Sequence, residues 1–168
     1  MVHRWFTLCV AALLVIVPRM VVAQAPLVPP PNVPYGLSIT TENAKKVAAA
    51  AIAEAQKNNL KMAVAVVDPG GYLIYFERMP DTQLGSVQLA IDKAHSAALF
   101  RRPTKAFQDA LAAGGDGWRI LGLTGAVPVD GGVPLIVDGK LIGAVGASGG
   151  NSVQDGQVAN AGAAGVPR

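Results

Sequence analysis

Apolar and polar positions along this chain fall into distinct patterns, and each pattern predicts an element. Residues 8–17 (LCVAALLVIV) are continuously apolar with no polar face, and they follow a short basic stretch at His3 and Arg4. Residues 24–35 (QAPLVPPPNVPY) are dense in proline and favour an extended, polyproline-like arm over a helix. Thr40 or Thr41 can cap a helix, with Glu42 in its first turn and alanine-rich residues 44–56 continuing it to a stop at Asn58 and Asn59. Residues 61–67 (KMAVAVV) are apolar on both alternating faces, the mark of a strand buried on both sides. Asp68-Pro69-Gly70-Gly71 then reads as a turn and residues 72–76 (YLIYF) as the returning strand, which completes a hairpin.

Helical spacing returns at 83–100, where Leu84, Val87, Ile91, Ala94 and Ala98 form one apolar stripe. Arg102-Pro103 interrupts it, and residues 104–112 restart a shorter helix behind Pro103. Residues 114–117 (GGDG) predict a flexible loop, and 122–129 fit neither period. Residues 133–137 and 140–147 flank Asp138-Gly139, a strong two-residue hairpin signal. A last helix is expected over about 152–164. Two hairpins among helices require antiparallel pairing, so the pattern predicts an α+β domain with a mainly antiparallel sheet flanked by helices.

The leading block changes the inventory. A basic start, a ten-residue apolar run and small residues at Val21 and Ala23 form a secretory signal peptide, with cleavage expected after Ala23. The run is too short for a permanent bilayer span, which takes roughly 20 apolar residues. The expected organisation is a signal peptide over 1–23, an arm over 24–35 and one domain over 36–168, exported to the periplasm or the medium. Cleavage would remove Cys9, the only cysteine, together with His3, Arg4 and Arg19, lowering the formal charge from +3 to +1. Disulfide, thiolate and Cys-ligated zinc chemistry are thereby excluded from the mature domain. A near-neutral domain with scattered cations also lacks the basic stripe that nucleic acid requires.

Candidate chemistry is sparse. Gly146-Ala147-Ser148-Gly149-Gly150 matches the G-x-S-x-G nucleophile elbow. The base in that motif follows the serine, whereas His95, the only mature histidine, precedes it. Free N–H groups in the glycine-rich turn at Ser148 and Gly149 suit a carboxylate or phosphate, or serve tight packing alone. His95 sits at the edge of the apolar stripe, where Asp92 could fix its tautomer. Arg78, Lys93, Arg101 and Arg102 could hold an anionic ligand or form a solvated face. No carboxylate pair can be singled out for acid–base work.

Resemblance extends this reading. Residues 65–71 (AVVDPGG), Arg78-Met79, Leu84-Gly85-Ser86, Lys93-Ala94, Arg102-Pro103-Thr104, residues 131–134 (GGVP), Asp138-Gly139, residues 143–149 (GAVGASG) and Gln154-Asp155 fall in order. Together they resemble the GlcG/HbpS family of haem-binding proteins, also seen as the C-terminal domain of PduO-type proteins, over about residues 36–166. The resemblance implies a profilin-like antiparallel sheet of about five strands, flanked by helices and assembled into homo-oligomers, often octamers. It implies haem as the cofactor of some members, and a sensor or pathway protein as partner. Tyr72 stands where histidine is common after the glycine pair. Two functions follow. One is an exported carrier, scavenger or sensor input for haem or a similar planar anion. It would use a pocket near the first hairpin and helix 83–100, His95 or Tyr72 as iron ligand, and Arg78, Lys93, Arg101, Ser148 and Gly149 as further ligand-binding residues. The other is an enzyme or accessory factor for a small carboxylic acid, held by turn 146–150 and the arginines with His95 as acid or base.

Overall fold

The structure is a computed structural model that describes residues 33–167. The expected signal peptide and most of the expected arm lie outside the described residues. Helix α1 (Thr41–Lys57) opens on Thr40, whose hydroxyl accepts the Asn43 N–H at 3.3 Å, with Glu42 in the first turn as expected. Strands β1 (Ala63–Val67) and β2 (Leu73–Arg78) form the first hairpin. Helix α2 (Gly85–Phe100) ends at Arg101, which turns the chain into the left-handed region with φ of 51° just before Pro103. Helix α3 (Lys105–Ala112) and a 3₁₀ helix (Gly115–Gly122) lead into the second hairpin, β3 (Gly132–Val137) and β4 (Lys140–Ser148). Helix α4 (Ser152–Ala164) follows, opened by a capping box between Asn151 and Gln154.

The strands are antiparallel in the order β2-β1-β4-β3. That is four strands among the described residues where about five were expected. The segment 114–129 supplies the 3₁₀ helix and turns, and Tyr35 makes a single parallel bridge to Leu141 beyond the end of β1. β1 is buried throughout, as its unbroken apolar run requires. Val64, Val66 and Val145 face α1 and α4 and share a core cluster with Val158 of α4, while Ala63, Ala65 and Val67 face α2 with Ala144. The result is three layers, with α1 and α4 on one side of the sheet and α2 on the other.

The α2 layer sits unusually close. Its buried face is built from Ala90, Ala94, Ala97 and Ala98, and Gly146 opposes it on β4. A Cβ on Gly146 would overlap the carbonyl of Ala90 and crowd the N–H of Ala94. Small side chains thus bring helix and sheet backbones together. That closeness delivers polar groups of α2 to backbone groups at both ends of the sheet.

Candidate functional site

The seven candidate ligand residues separate to opposite ends of the sheet. The register pairs Ala63 with both Arg78 and Ser148, and so places Arg78, Ser148 and Gly149 at the end remote from the first hairpin turn. At ~3.3 Å per strand residue, Arg78 lies roughly 17 Å along β2 from Leu73. Tyr72, His95 and Arg101 belong to the other end, where the hairpin turn meets the C-terminal half of α2.

The remote end is a closed structural network. Lys93 is fully buried, and its Nζ donates to Asp155 Oδ2 at 2.6 Å and to the Ala147 carbonyl at 3.3 Å. Asp155 Oδ1 accepts the N–H groups of Gly149 and Gly150 at 3.1 and 2.9 Å. The glycine-rich turn therefore does present N–H groups to a carboxylate, but the carboxylate is the chain's own. Ser148 is 2% exposed, with its hydroxyl on that of Ser86 at 3.2 Å. It meets no imidazole, since His95 bonds a residue at the opposite end. Lys93, expected as a ligand-binding cation, is closed off from solvent. Its sequence reading failed because its partner lies 62 positions away.

At the near end the turn is closed by Asp68. Its N–H donates to the Tyr72 carbonyl at 2.9 Å, its carbonyl accepts from Gly71 at 3.0 Å, and its Oδ1 accepts from the Tyr72 N–H at 2.9 Å. Gly71 takes a φ of +83° and presents its carbonyl to α2, where His95 Nδ1 lies 3.0 Å away. A carbonyl can only accept, so Nδ1 carries the hydrogen, and in the neutral imidazole the lone pair then belongs to Nε2. The tautomer is set by Gly71 and not by Asp92, whose Oδ1 accepts from Gln88 at 2.8 Å. A Cβ on Gly71 would collide with Nδ1, so glycine is the residue this contact admits.

Nε2 lies close to the loop at Gly125 and to the Leu99 side chain. A Cβ built on Gly125 would lie 3.8 Å from Nε2 and 3.7 Å from Leu99 Cδ1. Gly125 itself carries no side chain into that space, and Ser96 Oγ holds the loop to α2 by accepting the Val127 N–H at 3.0 Å. Tyr72, beside the turn, is 75% exposed. Arg101 does not reach outward as a free cation: its guanidinium donates to the Val33 carbonyl at 3.0 Å and stacks on Tyr35. The role of Gly125 escaped sequence reading, because only the fold brings that loop to His95. No cluster of three or more His, Cys, Asp or Glu suited to a metal ion occurs among the described residues.

Comparison with known proteins decides the family. Residues 39–164 match the family model described as haem degrading protein HbpS-like. The chain belongs to this HbpS-like family. It is 40% identical to protein GlcG of Escherichia coli over 110 residues, 66% of this chain and 81% of that protein. Among solved structures, a complex of PduOC with haem superimposes with a TM-score of 0.69 at 30% identity. That match covers 77% of this chain and 96% of the other. A double mutant of HbpS from Streptomyces reticuli gives a TM-score of 0.72 at 29% identity, covering 79% of this chain and 90% of its own. The α+β architecture expected from the hairpin pattern is thus that of the HbpS proteins.

Proposed function

We propose that this protein is an exported, self-assembling haem-binding protein whose iron ligand is His95. The observation that carries the proposal is the bond from His95 Nδ1–H to the Gly71 carbonyl at 3.0 Å. It fixes the ring and leaves Nε2 as the donor, the arrangement that a metal-binding imidazole needs. Support from outside the chain comes from the family match and from the haem complex of a relative.

The donor set fits haem. Haem supplies an iron that takes axial nitrogen or phenolate donors, set in a large apolar plane with anionic edges. Around His95 this chain offers one such nitrogen, the small apolar wall of Leu99 and Gly125, and the exposed ring of Tyr72. Tyr72 is the second candidate donor, and its aromatic face can cover a planar ligand. Gly71 holds the imidazole, Asp68 holds Gly71, and Ser96 holds the loop of Gly125. The carboxylic-acid reading loses its anchor, because Asp155 already occupies the N–H groups of Gly149 and Gly150.

A haemin titration followed by absorbance tests the proposal. The wild type should give a saturable, sharpened Soret band that His95→Ala abolishes and Tyr72→Phe merely weakens. Loss in Tyr72→Phe alone would move the ligand to the phenol, and the broad band of free haemin in the wild type would sink the haem reading. Light scattering on the same sample reads assembly, with a single-chain mass counting against it.

A further inference from the structure

Helix α2 ends in a contact that its own sequence does not supply. The last carbonyls of any α-helix lack intrahelical partners. In α2 one of them, Leu99 O, accepts the Tyr35 hydroxyl at 3.2 Å, from 64 positions earlier in the chain. Tyr35 is held there from two directions. Its backbone is bridged to Leu141, with Leu141 N–H donating to the Pro34 carbonyl at 2.9 Å and Gly36 N–H donating to the Leu141 carbonyl at 2.7 Å. Its ring lies under the Arg101 guanidinium, 5.1 Å from carbon to centroid. Arg101 in turn donates to the Val33 carbonyl at 3.0 Å. The arginine reaches this place through a φ of 51°, uncommon for a residue with a side chain. The strained turn and the arm therefore hold each other.

This clasp lies one helical turn beyond His95. Leu99 follows His95 by four positions and so shares its face of α2. Both come within contact distance of the same point over Gly125, 3.7 Å for Leu99 Cδ1 and 3.8 Å for His95 Nε2. We infer that Tyr35 and Arg101 are positioning residues: by tying the arm to the Leu99 carbonyl they set the place of Leu99 and of the His95 imidazole. Arg101, expected from the sequence to meet the ligand, acts on it only through α2. The link to ligand affinity rests on the haem reading above, whereas the link to the imidazole does not.

The test uses the full chain with Tyr35→Phe, which keeps the ring and removes only the bond to Leu99, beside Arg101→Gln. Three quantities are read. They are hydrogen exchange of the amides of residues 99–102, the ¹⁵N-histidine resonances of His95 (separated from those of His3 with His95→Gln), and the haemin dissociation constant. In the wild type these amides should exchange more slowly than in either variant, by about two- to tenfold, the range of one net hydrogen bond. The His95 resonances should shift in both variants, and haemin affinity should fall by a similar factor with the Soret maximum unmoved. Unchanged exchange and unchanged His95 resonances in both variants would overturn the inference. So would altered exchange with unaltered haemin affinity, in a wild type that binds. A wild type that binds no haemin defeats the proposed function instead, and exchange with the imidazole resonances then decides the clasp alone.

Discussion

Gly71 and His95 fit each other so closely that a side chain at position 71 would displace the imidazole. The glycine accepts an imidazole N–H, takes a φ of +83°, and leaves no room for a Cβ beside Nδ1. Gly71→Ala therefore combines backbone strain with a collision, for a cost of about 1–3 kcal/mol. Thermal unfolding should show that loss, and haemin titration should show a weakened or absent Soret change although His95 is intact. Retention of wild-type haemin affinity in Gly71→Ala would show that the Nδ1 bond does not prepare the ligand. A milder control is Asp68→Asn, which keeps an oxygen for the Tyr72 N–H and should leave the turn in place.

Between elements, the Lys93–Asp155 pair joins α2 to the start of α4 and to the end of β4. The two partners are not equivalent. Without Lys93, the Asp155 carboxylate still accepts two backbone N–H groups, whereas without Asp155 the buried ammonium keeps only the Ala147 carbonyl. Asp155→Ala should thus cost about 3–5 kcal/mol, the range for a buried charge stripped of its partner. Lys93→Met should cost distinctly less, and adding it to Asp155→Ala should recover part of the loss. Urea unfolding of the three variants checks this, and equal costs for the two single changes would contradict it. The same pair shows what the sequence could reveal. Both hairpins were legible, since DPGG and DG turns and apolar runs are local signals, and so were helices α1, α2 and α3, from a capping threonine before an alanine-rich run, from apolar spacing over 83–100 and from Pro103. The 3₁₀ helix was hidden behind Gly114 and Gly115, which advertise a loop. Lys93 looked like a solvated cation because the sign of its burial lies in Asp155. His95 and Tyr72 were legible as candidate donors, but Gly125 and the sorting of Arg78, Ser148 and Gly149 to the far end depend on strand register, which sequence spacing alone does not set.

For the whole molecule, cleavage at the expected site after Ala23 would decide which residues the mature protein keeps. The described residues contain no helix long and apolar enough to cross a membrane. Arg101 binds the Val33 carbonyl, so the arm is fastened within ten residues of the expected cleavage point after Ala23. A cut there leaves the clasp residues Val33 and Tyr35 intact, while a cut beyond Tyr35 would remove them. Export and the clasp are thus compatible only if processing occurs early. Because Cys9 lies before the expected cut, processing there would also remove the chain's single thiol. Protein recovered from the periplasm or medium of a host carrying the native gene should begin at Gln24 by intact mass and titrate zero thiols under denaturing conditions. The unprocessed chain should titrate one. A recovered protein that still holds one thiol per chain would mean that the apolar block at 8–17 stays attached, and the export reading would fail with it. A thiol-free product starting after Tyr35 would leave export standing but show that the mature protein works without the clasp.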